Sequence, residues 1–184
     1  MIKGIIGAVI GDIAGSSRES KPVSRKTFKL FTKDSSVTDD TALTVAIAEW
    51  MLDREGVDVG QSLIKWATEY PHAGYGSSFK RFLAHGSHMT PGSTHNGAVM
   101  RVSPVGFLAS SLEECLELSR ESALPSHVYS SCGSLCSGNC LRAIVAWKSG
   151  LSGEFKTLLE GRCEESYGTH SHDGTIVSAA RGHV

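Results

Sequence analysis

A chain of 184 residues with 40% apolar side chains is long enough for one domain with a substantial core. Its 18 Lys and Arg nearly cancel its 19 Asp and Glu, which argues against a nucleic-acid groove or a polybasic membrane contact. Five cysteines, no secretory start and an apolar N-terminal stretch interrupted by Asp12 predict a reduced, cytoplasmic protein without a membrane span.

No repeat, charge block or Pro-rich linker divides the sequence. The first predicted helix, Met1 to Gly15, carries Ile5, Val9 and Ile13 at helical spacing beside a stripe of Gly4, Gly7, Gly11 and Gly15. Each glycine costs about 1 kcal/mol of helix propensity, so the stripe predicts a closely approaching backbone. It is not a dinucleotide loop, because no GxGxxG follows a strand. The next helix, Thr41 to Leu52, places Ala42, Leu43, Ala46, Ile47, Trp50 and Met51 on one stripe and is expected to be central. Val59 to Tyr70 reads as a third helix, with Ser77 to Ala84 and Leu112 to Ser122 as shorter ones. His85 to Asn96 is rich in Gly, Ser, Thr, His and Pro and reads as a loop. No run of strand patterns occurs, so the chain is expected to be all-α.

Two adjacent aspartates, Asp39 and Asp40, stand between Thr38 and Thr41 directly before the central helix. One reading is structural: Ser36 or Thr38 caps the helix, and the acids favour the positive end of its dipole. The other is a hard-metal site, in which both carboxylates and the Thr38 hydroxyl offer oxygen ligands to Mg²⁺ or Mn²⁺. The stretch "PGSTHNGAVMRVSPVG" adds a Gly, Ser and Asn loop of the kind that offers backbone N–H groups to phosphates.

Five stretches together resemble the ADP-ribosylglycohydrolase family. They are GDxxG with the following Glu19, TDDT at Thr38 to Thr41, "YPHAGYGSSFKRFL", "NGAVMRVSPVG", and "SALPSH" ending at His127. They cover roughly residues 1–127 in the family's order. The resemblance implies an all-α helical bundle with a binuclear Mg²⁺ or Mn²⁺ centre that hydrolyses ADP-ribosyl N- or O-glycosidic bonds. It implies ADP-ribose, or an ADP-ribosylated protein or small molecule, as the partner. By position, Thr38, Asp39 and Asp40 match metal ligands, and Glu19 and Asp39 are the candidates to act on the attacking water. Gly92, Ser93, Thr94, Asn96 and Gly97 match the loop that holds diphosphate and ribose, and His127 matches a histidine near the nucleotide.

Beyond His127 the motifs stop. The family's late D-x-D-T segment, which completes its metal centre, does not occur, and "SHDGT" at Ser171 to Thr175 has one acid. His95 also stands where the family usually has Gly. The reading is therefore a truncated bundle, residues 1–127, followed by an atypical tail, residues 128–184. In it the second metal site is incomplete and catalysis is impaired; the alternative is an inactive domain that at most binds ADP-ribose. Cys132, Cys136 and Cys140, even with Cys163, His170 or His172, do not form a standard zinc pattern. The rise in Ser, Cys, Gly and Arg after His127 suggests a change of reading frame, which sequencing the gene region tests.

Overall fold

A computed structural model describes residues 2–19, 29–86 and 92–127. The tail from 128 onward, with its cysteines and "SHDGT", lies outside the described residues. Within them the chain forms α1 (Ile2–Ser16), α2 (Asp39–Leu52), α3 (Val59–Glu69), α4 (Ser77–His85), α5 (Gly97–Met100), α6 (Ser103–Leu108) and α7 (Leu112–Ala123). The fold is all-α, and the one β pairing among the described residues is an isolated parallel bridge between Ser93 and His127.

Helix α2 begins two residues earlier than its apolar spacing suggests, because Thr38 caps it. Thr38 is extended (φ −111°, ψ −175°), and its hydroxyl accepts from the Asp40 backbone N–H at 3.3 Å. Asp39 and Asp40 thus occupy the first helical turn, where the dipole favours negative charge. The capping reading is correct, and it leaves both carboxylates free to serve as ligands as well.

The same helix is more deeply enclosed than a one-sided stripe would be. Thr41 and Thr44 are buried together with Ala42, Leu43, Ala46, Ile47 and Trp50, since α1, α3, α5 and α6 all pack against it. Burial of side chains such as Leu43 and Ile47 contributes about 1.5–3 kcal/mol each. Small residues let α3 come close: Ser62 Oγ donates to the Ala46 carbonyl at 2.8 Å. Beside that contact Glu49 accepts from Trp66 Nε1 at 2.9 Å and pairs with Lys65.

The short helices α5 and α6 have no counterpart in the sequence expectation. At four and six residues they are too short to be stable on propensity alone. Burial holds them, through Ala98, Val102, Pro104 and Val105. Helix α7 is anchored locally: Ser111 Oγ accepts from Glu114 N at 3.1 Å, and the Glu114 carboxylate accepts from Ser110 N at 2.6 Å.

The glycine stripe of α1 meets no other backbone among the described residues. A Cβ added at Gly7, Gly11 or Gly15 would meet nothing among the described residues within 4 Å, and Ile6 and Ile10 are about half exposed. What α1 delivers to the rest of the fold is Asp12.

Candidate active site

Asp12 joins α1 to the start of α2. Its carboxylate accepts from the Thr38 backbone N–H at 3.0 Å, the Thr38 hydroxyl at 2.5 Å and the Thr41 N–H at 3.2 Å. The Asp39 N–H donates to the Ala73 carbonyl at 2.8 Å, and the Asp40 N–H to Thr38 Oγ1. Every backbone N–H from Thr38 to Thr41 therefore has an acceptor inside the protein. A helix N-terminus usually draws anions through such groups. Here they are all engaged, so the side chains set the chemistry.

Those side chains are acidic and crowd one another. Burial raises the Asp40 carboxyl to about 6, helped by the charges of Asp39, Asp12 and Glu19. Burial likewise raises Asp39, partly offset by a backbone hydrogen bond and reinforced by Glu19 and Asp12. Glu19 is exposed at the turn after α1, yet near enough for its charge to reach both aspartates.

Asp39 forms one wall of a cavity of about 350 Å³ whose other walls include Gly74, Gly76, Ser93, Asn96, Gly97, Arg101 and His127. Gly74 has φ +93°, a backbone conformation that favours glycine, in the turn that passes beneath Asp39. The far wall is tied together by main-chain contact, Ser93 N–H to Ser126 carbonyl at 3.3 Å. A Cβ at Gly97 would lie 3.3 Å from His127 Cε1 and Nε2, so only glycine lets the loop lie this close to the imidazole without displacing it. Arg101 is fully buried and donates from Nη2 to the Ser122 carbonyl at 2.8 Å and to Ser126 Oγ at 2.9 Å. Ser126 Oγ lies 2.8 Å from His127 Nδ1. Burial, and then the Arg101 charge, push His127 down to about 4.

Of the residues singled out in the sequence, Asp39, Ser93, Asn96, Gly97 and His127 line this cavity. Thr38, Asp40 and Glu19 gather around Asp39 without lining it. Gly92 and Thr94 flank Ser93 on the loop and are not part of the wall. Among the described residues no group of three or more His, Cys, Asp or Glu is arranged to hold a metal ion, and no helix is long and apolar enough to cross a membrane.

Four residues of this region had no role assigned from sequence: Asp12, Tyr75, Arg101 and Ser126. Asp12 and Arg101 each carried a signal, a lone charge within an apolar stretch, which must find a polar partner when buried. Tyr75 is buried, packs on Phe79 with ring centroids 5.3 Å apart, and has a hydroxyl with no hydrogen-bond partner among the described residues. Burial and the Asp39 charge push its phenol up to about 12.

The chain matches the sequence model of the family described as ADP-ribosylglycohydrolase over residues 1–175. The match runs further than the recognised motifs, which end at His127. No curated protein matches the chain. With a helical fold and a family match over nearly its whole length, the chain belongs to the ADP-ribosylglycohydrolase family.

Proposed function

We propose that the cavity takes ADP-ribose and that the chain, with a divalent cation, hydrolyses ADP-ribosyl N- or O-glycosidic bonds. One observation carries this reading: at a helix N-terminus whose N–H groups are already engaged, Asp39 lines the cavity with the charges of Asp12, Asp40 and Glu19 close by, and the opposite wall offers hydrogen-bond donors. The acids are suited to a cation and the donors to a diphosphate. A cavity of about 350 Å³ is also in the size range of small-molecule sites.

The donor chemistry fits Mg²⁺ or Mn²⁺. Asp39, Asp40 and Glu19 offer carboxylate oxygens, and the Thr38 hydroxyl, already donating to Asp12, retains a lone pair. Burial raises Asp39 and Asp40, and the neighbouring acids add to it; a cation would offset that added repulsion. When bound, such an ion would orient and acidify the attacking water and offset developing negative charge. Asp39 or Glu19 would accept the water's proton. Ser93, Asn96, Gly97 and His127 would hold the diphosphate and ribose, fixing the anomeric carbon relative to the acids.

A second reading, binding of ADP-ribose without efficient turnover, is favoured by the lack of a D-x-D-T segment in the sequence and by there being, among the described residues, no group of three or more acids or histidines arranged to hold a metal ion. Isothermal titration of ADP-ribose with and without Mg²⁺, paired with a hydrolysis assay on ADP-ribosylated substrates, separates the two. Mg²⁺-dependent turnover that Asp39→Ala lowers at least about 100-fold supports the hydrolase. Mg²⁺-dependent binding without turnover supports the second reading, and no binding in either condition sinks both.

A further inference from the structure

Ser126 Oγ stands between Arg101 Nη2, at 2.9 Å, and His127 Nδ1, at 2.8 Å. A guanidinium only donates, so it takes one lone pair of the hydroxyl oxygen. The single hydroxyl hydrogen is repelled by that cation, and Nδ1 is the acceptor on the other side. If Nδ1 carried the hydrogen instead, it would donate to Ser126 Oγ beside the guanidinium and strand the buried serine proton, which is costly, whereas Nε2 lacks a partner in either tautomer. Nδ1 therefore accepts, and the imidazole proton sits on Nε2.

Nε2 is the atom left without a partner. His127 is 4% exposed and lines the cavity, and Nε2 makes no hydrogen bond among the described residues. The His95 backbone is near enough to favour a proton on the ring, yet Nε2 makes no hydrogen bond of proper geometry to it. The charged or titratable groups facing the ring are Arg101 and His95, with Asp39 on the cavity wall. Of these groups only the His95 backbone could accept from the ring, and it makes no well-formed hydrogen bond to Nε2.

We propose that Arg101 and Ser126 are positioning residues that hold His127 as the neutral Nε2–H tautomer, and that this fixed donor takes a phosphate oxygen of the ligand. The identity of the ligand as a diphosphate rests on the proposed function; the tautomer does not. The opposite tautomer would turn a lone pair toward the phosphate and repel it. Arg101, buried in the same wall, makes an anionic oxygen the favoured acceptor, and hydrogen bonds to such oxygens are about twice as strong as neutral ones.

Nitrogen-15 NMR of the full chain with labelled histidine tests this between pH 5 and 8, without ligand and with ADP-ribose. The expected result is a His127 ring that stays neutral with its proton on Nε2 throughout that range. Adding ADP-ribose should shift the Nε2–H signal and leave Nδ1 nearly unmoved. Ser126→Ala should mix the tautomers, restore titration toward pH 6–7 and weaken ADP-ribose binding roughly tenfold; Ser126→Thr, which keeps the hydroxyl, should recover most of both. An Nδ1–H ring, an imidazolium at pH 6, or unchanged affinity in a folded Ser126→Ala protein overturns the proposal. If wild-type protein does not bind ADP-ribose, the proposed function has failed, while the ligand-free spectrum still decides the tautomer. Inorganic pyrophosphate then decides whether Nε2 takes a phosphate oxygen, by moving its signal or leaving it in place.

Discussion

The two walls of the cavity are built on opposite principles. At the start of α2 the backbone is satisfied and the side chains are not: burial, with the neighbouring charges of Asp39, Asp12 and Glu19, raises Asp40 to about 6. At the His127 wall the side chains are linked in sequence, from Arg101 through Ser126 to Nδ1, and on the imidazole Nε2 has no partner among the described residues. The first wall is unstable until something positive arrives. The second is already ordered, and a ligand would find its donor in position. Catalytic sites commonly divide in this way, because groups that act on charge must be held where they are not comfortable.

Asp12→Ala should have the largest effect on stability. It strips the acceptor from two backbone N–H groups and from the Thr38 hydroxyl, and unsatisfied groups cost about 1–3 kcal/mol each before water compensates. The relief of repulsion on Asp39 and Asp40 works the other way. A net loss of about 2 kcal/mol in urea unfolding is expected. Asp12→Asn, which keeps one acceptor oxygen and drops the charge, should lose much less. If Asp12→Ala unfolds at the same urea concentration as wild type, the satisfied backbone of the first wall is an illusion and the comparison breaks.

The walls should also respond to acid with opposite signs, measured in chelator so that no cation intervenes. Asp40 is raised in the folded state from 3.8 to about 6, so between those values the folded form binds the proton more readily than the unfolded chain. Its contribution to stability therefore rises as pH falls from 7 toward 4. His127 is lowered from 6.5 to about 4, so the unfolded chain binds the proton more readily in that window. Its contribution is present above pH 6.5 and is lost as pH falls toward 4. In wild type the two slopes partly cancel. Asp40→Asn should stabilise the protein at pH 7 by about 1 kcal/mol, after allowing for solvent screening of a half-exposed group, and should leave the histidine slope opposed only by the raised Asp39 on the acid side. His127→Gln should do the reverse and leave the acid slope. Parallel slopes in the two variants would show that the walls do not differ as described.

Much of this arrangement was visible in the sequence, and what was hidden was hidden for physical reasons. Helices α2 and α3 were legible because their apolar spacing extends over three turns, and the TDDT and NGAVMRVSPVG stretches marked both walls. Helices α5 and α6 were not, because their stability comes from burial against distant residues rather than from local pattern. The glycines of α1 state only that a backbone could approach, and none among the described residues does at Gly7, Gly11 or Gly15. Asp12 and Arg101 were conspicuous as charges in apolar surroundings, but their partners lie 26 and 25 residues away and no spacing rule reaches that far. Ser126 lay within the SALPSH stretch without a role of its own, since that role exists only once Arg101 and His127 are on either side of it.

Tyr75 tests where one wall ends and the other begins, and its effect should be the smallest. Its phenol feels the Asp39 charge, so it belongs electrically to the acid side, and its ring packs on Phe79. The buried hydroxyl has no partner among the described residues, and it is Gly74 and Gly76 on either side, not Tyr75, that line the cavity. A buried hydroxyl without a partner opposes folding, so Tyr75→Phe should stabilise the protein, by about 0.5–1 kcal/mol in urea unfolding. Because the side chain is behind the wall, affinity for ADP-ribose should be unchanged, in contrast to the roughly tenfold loss expected for Ser126→Ala. A more stable protein that binds ADP-ribose about tenfold more weakly would mean that the phenol turns into the cavity when ligand arrives. The acid wall would then contribute a donor of its own, and the division of labour between the two walls would have to be redrawn with Tyr75 on the binding side.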